Sequence, residues 1–279
     1  MLKTLLLAAL LTGALAAQEQ PKTQNLEELH KVAKQSVTQK NLDQALEQYK
    51  DIVARDPKSV EALFNIGWIY NEQKKFDMAA RWLKQASEVG PPDIRVQSEL
   101  GFAMSKLNNA EGAIEAFTKA TQIKPDSPTA WVGLGDANFE LKRDSKSASA
   151  AYLKAIELGN NSSTTYYRLG WCLNDLNQSN LAAPQLKKAA ALEPKSASIW
   201  LEWGYSLLKS KQYEGALEAL TRATTLDPKE RLGHLYLGRT FLVMKNKAQV
   251  KRQIAELKSL DAALSRQLED ELKAAGDGK

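Results

Sequence analysis

Apolar residues recur along most of the chain at three- and four-residue steps, and no stretch alternates strictly between apolar and polar positions. This pattern predicts amphipathic helices and no sheet. Ala, Leu, Lys, Glu and Gln throughout, with 7% aromatic residues and nine prolines, point the same way. Within one apolar helix, "WLEWGYSLL" (200–208), stands Gly204, where glycine costs about 1 kcal/mol relative to alanine. It is not alone. Gly67, Gly101, Gly135, Gly170, Gly204 and Gly238 follow one another at gaps of 34, 34, 35, 34 and 34 residues. Pro57, Pro91, Pro125, Pro194 and Pro228 keep the same step, with Asn160 where the missing proline would fall. Each glycine lies inside an apolar helix, and each proline closes the helix that follows.

In that register, large apolar residues take the fourth and seventh places (Leu63 and Ile66, Trp131 and Leu134, Tyr166 and Leu169, Trp200 and Trp203). The eighth place is the glycine and the twentieth is small (Ala79, Ala113, Ala148, Ala182, Ala216). The twenty-fourth is large (Leu83, Phe117, Tyr152, Leu186, Leu220), and the twenty-seventh is small again (Ala86, Ala120, Ala155, Ala189, Ala223). The pattern resembles the tetratricopeptide repeat, a helix-turn-helix unit of 34 residues. The resemblance implies an all-α fold: an α-solenoid, a right-handed superhelix of about seven repeats over 26–262 (26–59, 60–93, 94–127, 128–162, 163–196, 197–230, 231–262). A C-terminal capping helix and tail are expected over 263–279. The first repeat departs by Ala33 in place of the glycine, and the last by Val250, Ile254 and Leu257 in its second helix, as capping repeats do. Six interior glycines would cost about 6 kcal/mol together, so packing must offset the loss. The expectation is that each eighth-place glycine meets the twentieth-place alanine where the two helices cross, with no room for side chains. These glycines are therefore structural.

The N-terminus reads differently. "MLKTLLLAALLTGALAAQ" has one basic residue, Lys3, a short apolar run and the small-residue sequence Ala14-Leu15-Ala16. This predicts a secretory signal peptide over 1–17, too short in its apolar part to span a bilayer, followed by a short polar segment over 18–25. The address implied is export, to a bacterial periplasm or cell envelope, with secretion as the alternative. Removal of residues 1–17 takes one positive charge from a formal net of +5, and no integral membrane span then remains. With a single cysteine, Cys172, there is no disulfide framework.

Catalytic signatures are absent: no GxGxxG, phosphate-binding loop, GxSxG or HExxH occurs. Of the two histidines, His234 occupies a fourth place, like Trp131 and Trp200, and reads as a packed core residue; His30 falls at a fifth place. Cys172 takes a tenth place, elsewhere Ile69, Ala103, Ala137, Ser206 and Thr240, and reads as a buried structural thiol. No catalytic residue, cofactor or metal site is expected, and the chain is not read as an enzyme.

In the family, the second, fifth, ninth and twelfth places line a concave groove. Fifth and ninth places share one helical face. Four of the seven ninth places are aromatic. Phe64, Trp68, Phe102, Asp136, Tyr167, Trp171 and Tyr205 are the expected contacts for a peptide or protein partner, aromatics giving contact area at small entropic cost. No ninth place is Asn, so the family's carboxylate clamp for acidic chaperone tails is missing, although Arg95 and Arg168 are available to an acidic ligand. From Arg222 to Lys258, nine basic residues face three acidic ones. Within that segment Arg239, Lys245, Lys247, Lys251 and Arg252 are a second candidate contact, for an anionic envelope component. Nucleic acid is not an expected partner. The function implied is a protein-protein interaction scaffold or adaptor of the envelope, as a monomer or weak homo-oligomer, with self-association into a structural array as the alternative.

Overall fold

A computed structural model describes residues 25–277; the expected signal peptide and residues 18–24 of the polar segment lie outside them. Among the described residues there are fifteen α-helices, one π-helical turn and no strands. They form two compact units, one ending at Pro91 and one beginning at Pro92. The first holds α1 (Leu26–Thr38), α2 (Leu42–Arg55), α3 (Val60–Glu72) and α4 (Phe76–Val89). The second holds α5 (Ile94–Lys106), α6 (Ala110–Ile123), α7 (Pro128–Asp136) and its π turn (Ala137–Lys142), α8 (Ser145–Glu157), α9 (Ser163–Asp175) and α10 (Ser179–Leu192). It continues through α11 (Ala197–Lys209), α12 (Tyr213–Leu226), α13 (Arg231–Val243), α14 (Lys247–Leu260) and α15 (Ala262–Asp277). The units are all-α solenoid stacks of helix pairs. In the second, the first helices of successive pairs also touch: α5 with α7, α9 with α11, and α11 with α13.

Local chemistry sets the helix ends. Asp93, Asn109, Asp144 and Asn246 accept hydrogen bonds from backbone N–H groups in the first turns of α5, α6, α8 and α14, supplying acceptors for donors the helix leaves unpaired. Each first helix stops at a residue in the left-handed region: Lys40, Lys74, Asn108, Arg143, Asn177, Lys211 and Lys245, with φ between 54° and 60°. After α9, for example, Gln178 N–H bonds back to Leu173 O at 2.8 Å, the six-to-one closure that such a residue permits.

The repeat with a 35-residue glycine gap shows where its extra residue goes. Its left-handed residue, Arg143, comes one place later than its counterparts, and residues 137–142 wind as a π turn. The closing bond lengthens by one residue, from Asp144 N–H to Asn138 O at 3.0 Å. The insertion is thus absorbed inside the first helix, the usual origin of a π turn and a common mark of functional sites.

A side chain at five of the repeat glycines would strike the twenty-fourth-place residue before the twentieth-place alanine. A Cβ on Gly204 would lie 2.5 Å from Leu220 Cγ, and Gly67, Gly101, Gly135 and Gly170 face Leu83, Phe117, Tyr152 and Leu186 in the same way. At these five glycines the nearest atoms come from the large twenty-fourth-place side chain, not from the expected alanine. The glycine leaves a notch that the large twenty-fourth-place side chain fills. The last repeat uses a different residue: Leu268 of α15 enters the Gly238 notch. Leu268 is fully buried with Leu235, Val250, Ile254 and Leu257, so the final helix closes the stack with its own side chain.

A second device recurs at repeat joints. Trp131 Nε1 donates to Pro125 O at 2.8 Å and Trp200 Nε1 to Pro194 O at 3.0 Å, while His234 Nε2 lies 3.0 Å from Pro228 O. A ring N–H at the fourth place satisfies the carbonyl of the preceding repeat's proline. His234 is accordingly a buried core residue, its Nδ1 set 2.8 Å from Gln253 Oε1. Cys172 is also fully buried, and burial pushes its thiol up to about 12, which leaves almost no thiolate at neutral pH.

Candidate binding face

Phe64 and Trp68 lie four residues apart on α3, both partly buried, in the first unit. The other sequence-predicted residues belong to the second unit and are described within it. Phe102, on α5, is 41% exposed, with Lys106 Nζ 5.3 Å from its ring centre.

The π turn builds the next part of the face. It carries Phe139 against Trp171 of α9, edge to face at 90° with ring centres 5.1 Å apart. Phe139, Glu140, Arg143, Ser145, Trp171 and Asp175 line an open cleft of about 460 Å³. Arg168 of α9 pairs with both Asp136 and Glu140 and lies 5.7 Å from the Phe139 ring centre. Burial is the largest single influence and works against the guanidinium's charge, but hydrogen bonding to Asp136 together with the charges of Asp136 and Glu140 outweighs it and raises the pKa. Tyr152 Oη donates to Asp136 at 2.8 Å. Asp136 is thus occupied from two sides by its own chain. Arg168, expected to be available to an acidic ligand, is instead neutralised internally, and Arg95 pairs with Asp93 at 2.7 Å.

Beyond α9, the face continues on α11 and α13. Tyr205 packs on Tyr236 with ring centres 4.9 Å apart, and both rings keep part of their surface exposed. Glu202, one turn before Tyr205, accepts a hydrogen bond from Asn174 Nδ2 at 3.1 Å. Asn174 is held in that orientation because Ser206 Oγ donates to its Oδ1 at 2.8 Å. Burial raises the Glu202 pKa above the ordinary carboxylate value, with the Asn174 bond opposing. The Tyr167 phenol is raised as well, chiefly by burial and further by the Glu202 charge.

A stability consequence follows from Glu202. Its proton is bound more readily in the folded chain than in the unfolded one, so its ionisation lowers stability as pH rises from the ordinary Glu value of 4.5 through the raised folded value. Glu202→Gln keeps an acceptor for Asn174 and removes that loss. The variant is expected to melt a few degrees above wild type at pH 7, with the difference closing below pH 4.5. Parallel thermal melts across that range check the sign.

The basic candidate contact divides. Lys245, Lys247, Lys251 and Arg252 are exposed. Arg239 is not available in the way expected: its Nε and Nη2 bond both carboxylate oxygens of Glu271 on α15, the shortest contact being 2.6 Å. Sequence reasoning did not assign Phe139, Glu140, Glu202 or Tyr236 to the face. Phe139 stands at a twelfth place, one of the family's groove positions, with Glu140 next to it, and the 35-residue gap marked their repeat as the irregular one. Glu202 and Tyr236 stand at sixth places, outside the family's groove positions.

Tetratricopeptide-repeat family models match residues 36–99, 102–163 and 167–231, more than half of the chain. The chain belongs to the tetratricopeptide-repeat family. Human protein O-mannosyl-transferase TMTC3 is 25% identical over 173 residues, 56% of this chain and 19% of that protein. Human TMTC1 is 30% identical over 111 residues, 38% of this chain and 12% of that protein. This chain therefore spans less than a fifth of either transferase. Among solved structures, YrrB, described as a TPR protein with an unusual peptide-binding site, superposes with a TM-score of 0.64 at 23% identity, over 68% of this chain and 99% of YrrB. PilF of Pseudomonas aeruginosa gives 0.57 at 19% identity, over 78% and 99%. At these identities the likeness is one of fold. Tetratricopeptide repeats are protein-interaction modules, and this chain is a scaffold of that kind. Among its described residues no helix is long and apolar enough to cross a membrane.

Proposed function

We propose that this protein is a non-catalytic adaptor that holds an extended peptide segment of a partner across α9, α11 and α13. The observation that carries the reading is the row of partly exposed rings, Tyr167, Trp171, Tyr205 and Tyr236, presented by successive first helices within one unit. Aromatic rings fixed by packing on one side lose little freedom when a segment covers the other. Asp136 serves this face as the anchor of Arg168 rather than as a direct contact. Phe64 and Trp68 offer a second, shorter aromatic face on the first unit. The exposed lysines and Arg252 of the last repeat are a secondary site for an anionic surface.

The proposed place of action is the cell envelope, supported by the signal-like sequence over 1–17; a mature N-terminus starting near residue 18, found by mass spectrometry of the native protein, tests it. Partner binding is tested by crosslinking and pull-down from the native envelope with wild type and the Trp68→Ala, Trp171→Ala double variant. Partners lost only from a folded double variant support the aromatic reading. Partners retained by both move binding to the basic end, and an empty set from both makes self-association the working idea.

A further inference from the structure

We propose that Glu202, framed by Tyr167, Tyr205 and Tyr236, is a cation subsite that receives the side chain of a lysine or arginine in the bound segment. The inference deepens the peptide-binding reading and rests on it. A carboxylate has about four acceptor positions. Glu202 uses one, for Asn174, and no lysine or arginine among the described residues pairs with it. The two arginines on the helices beside it are already engaged, Arg168 by Asp136 and Glu140 and Arg239 by Glu271. Asp136, Glu140, Glu202 and Glu271 against Arg168 and Arg239 leave this linked cluster at −2, in a chain whose formal net charge is +5.

The surroundings suit an organic cation. The Tyr205 and Tyr236 rings pack together one turn from Glu202 and on the next first helix, and Tyr167 senses the Glu202 charge from α9. Aromatic faces attract ammonium and guanidinium groups, and a partly buried carboxylate adds a charge-assisted hydrogen bond. Asn174, pinned by Ser206, fixes the carboxylate in position before any ligand arrives. A metal ion fits less well: no group of three or more His, Cys, Asp or Glu ligands occurs among the described residues.

The experiment uses the full chain and three acetylated, amidated tripeptides, Phe-Lys-Phe, Phe-Arg-Phe and Phe-Gln-Phe, titrated into isotope-labelled wild type and Glu202→Gln while backbone amide resonances are followed. The expected result is that the lysine and arginine peptides bind wild type roughly tenfold more tightly than the glutamine peptide, with shifts centred on Asn174, Glu202 and Ser206. In Glu202→Gln that preference falls to about one. Equal affinity of all three for wild type, or a preference that survives the substitution, overturns the cation subsite and leaves the aromatic face standing. No perturbation by any peptide at Tyr167, Trp171 and Tyr205 overturns both.

Discussion

Replacing Gly204 by leucine is expected to lower stability by about 3 kcal/mol or more. The first added atom alone would lie 2.5 Å from Leu220 Cγ and 3.2 Å from the Leu220 backbone N. Leu220 is fully buried among Ala216, Ala219 and Ala223, so it has no open space to swing into. Either it leaves its rotamer or α11 and α12 separate, and separation unpacks Trp200 and Trp203, whose rings lie 5.2 Å apart against the same core. Gly204→Ala tests the point more finely. Helix propensity favours alanine by about 1 kcal/mol, so a net loss in that variant measures the notch itself. Adding Leu220→Ala should recover part of the loss, a non-additivity expected only for side chains in contact. Chemical denaturation followed by circular dichroism reads all three variants; an unchanged midpoint for Gly204→Leu would contradict the crossing.

Leu268→Ala is expected to cost about 2–4 kcal/mol, within the range for large-to-small changes at fully buried sites, and to act locally. Leu268 fills the Gly238 notch from outside the repeat array, where Ile254 occupies the twenty-fourth place but does not enter. With the side chain removed, α15 loses its main anchor and keeps the Ser265 bond to Ile254 O and the Arg239–Glu271 pair. That pair is only partly buried and worth at most about 1 kcal/mol. Hydrogen exchange should therefore quicken throughout α15 and on α13 around Gly238, while α9 to α11 stay protected, as in a stack whose stability passes between neighbours. Protection unchanged in α15 would show that the helix is held by other contacts.

Much of this molecule was legible before any coordinates. The glycine and proline periods mark helix pairs, because each repeat solves the same crossing in the same way. The tenth-place position of Cys172 and the fourth-place position of His234 foretold their burial. The left-handed turn residues were less visible: Asn108 and Asn177 are ordinary choices for positive φ, but Lys40, Lys74, Lys211 and Lys245 announce it only by recurring at the same place. The extra residue in the fourth repeat was visible as a gap of 35, yet a single insertion could fall in either helix or in the turn. Only the structure puts it in the π turn that brings Phe139 to Trp171.

The amino-acid sequence by itself determined the helices, their repeat length, the family and three of the four rings on the proposed peptide-binding face, since each depends on periodicity along the chain. Tertiary structure decided which side chain fills each glycine notch, and that Arg168 and Arg239 are neutralised while Glu202 keeps a single hydrogen bond. The polar pairings join residues 28 to 32 positions apart on adjacent first helices or the closing helix. Their partners are chosen by side-chain reach across a helix-helix contact, a distance that no pattern within one helix encodes.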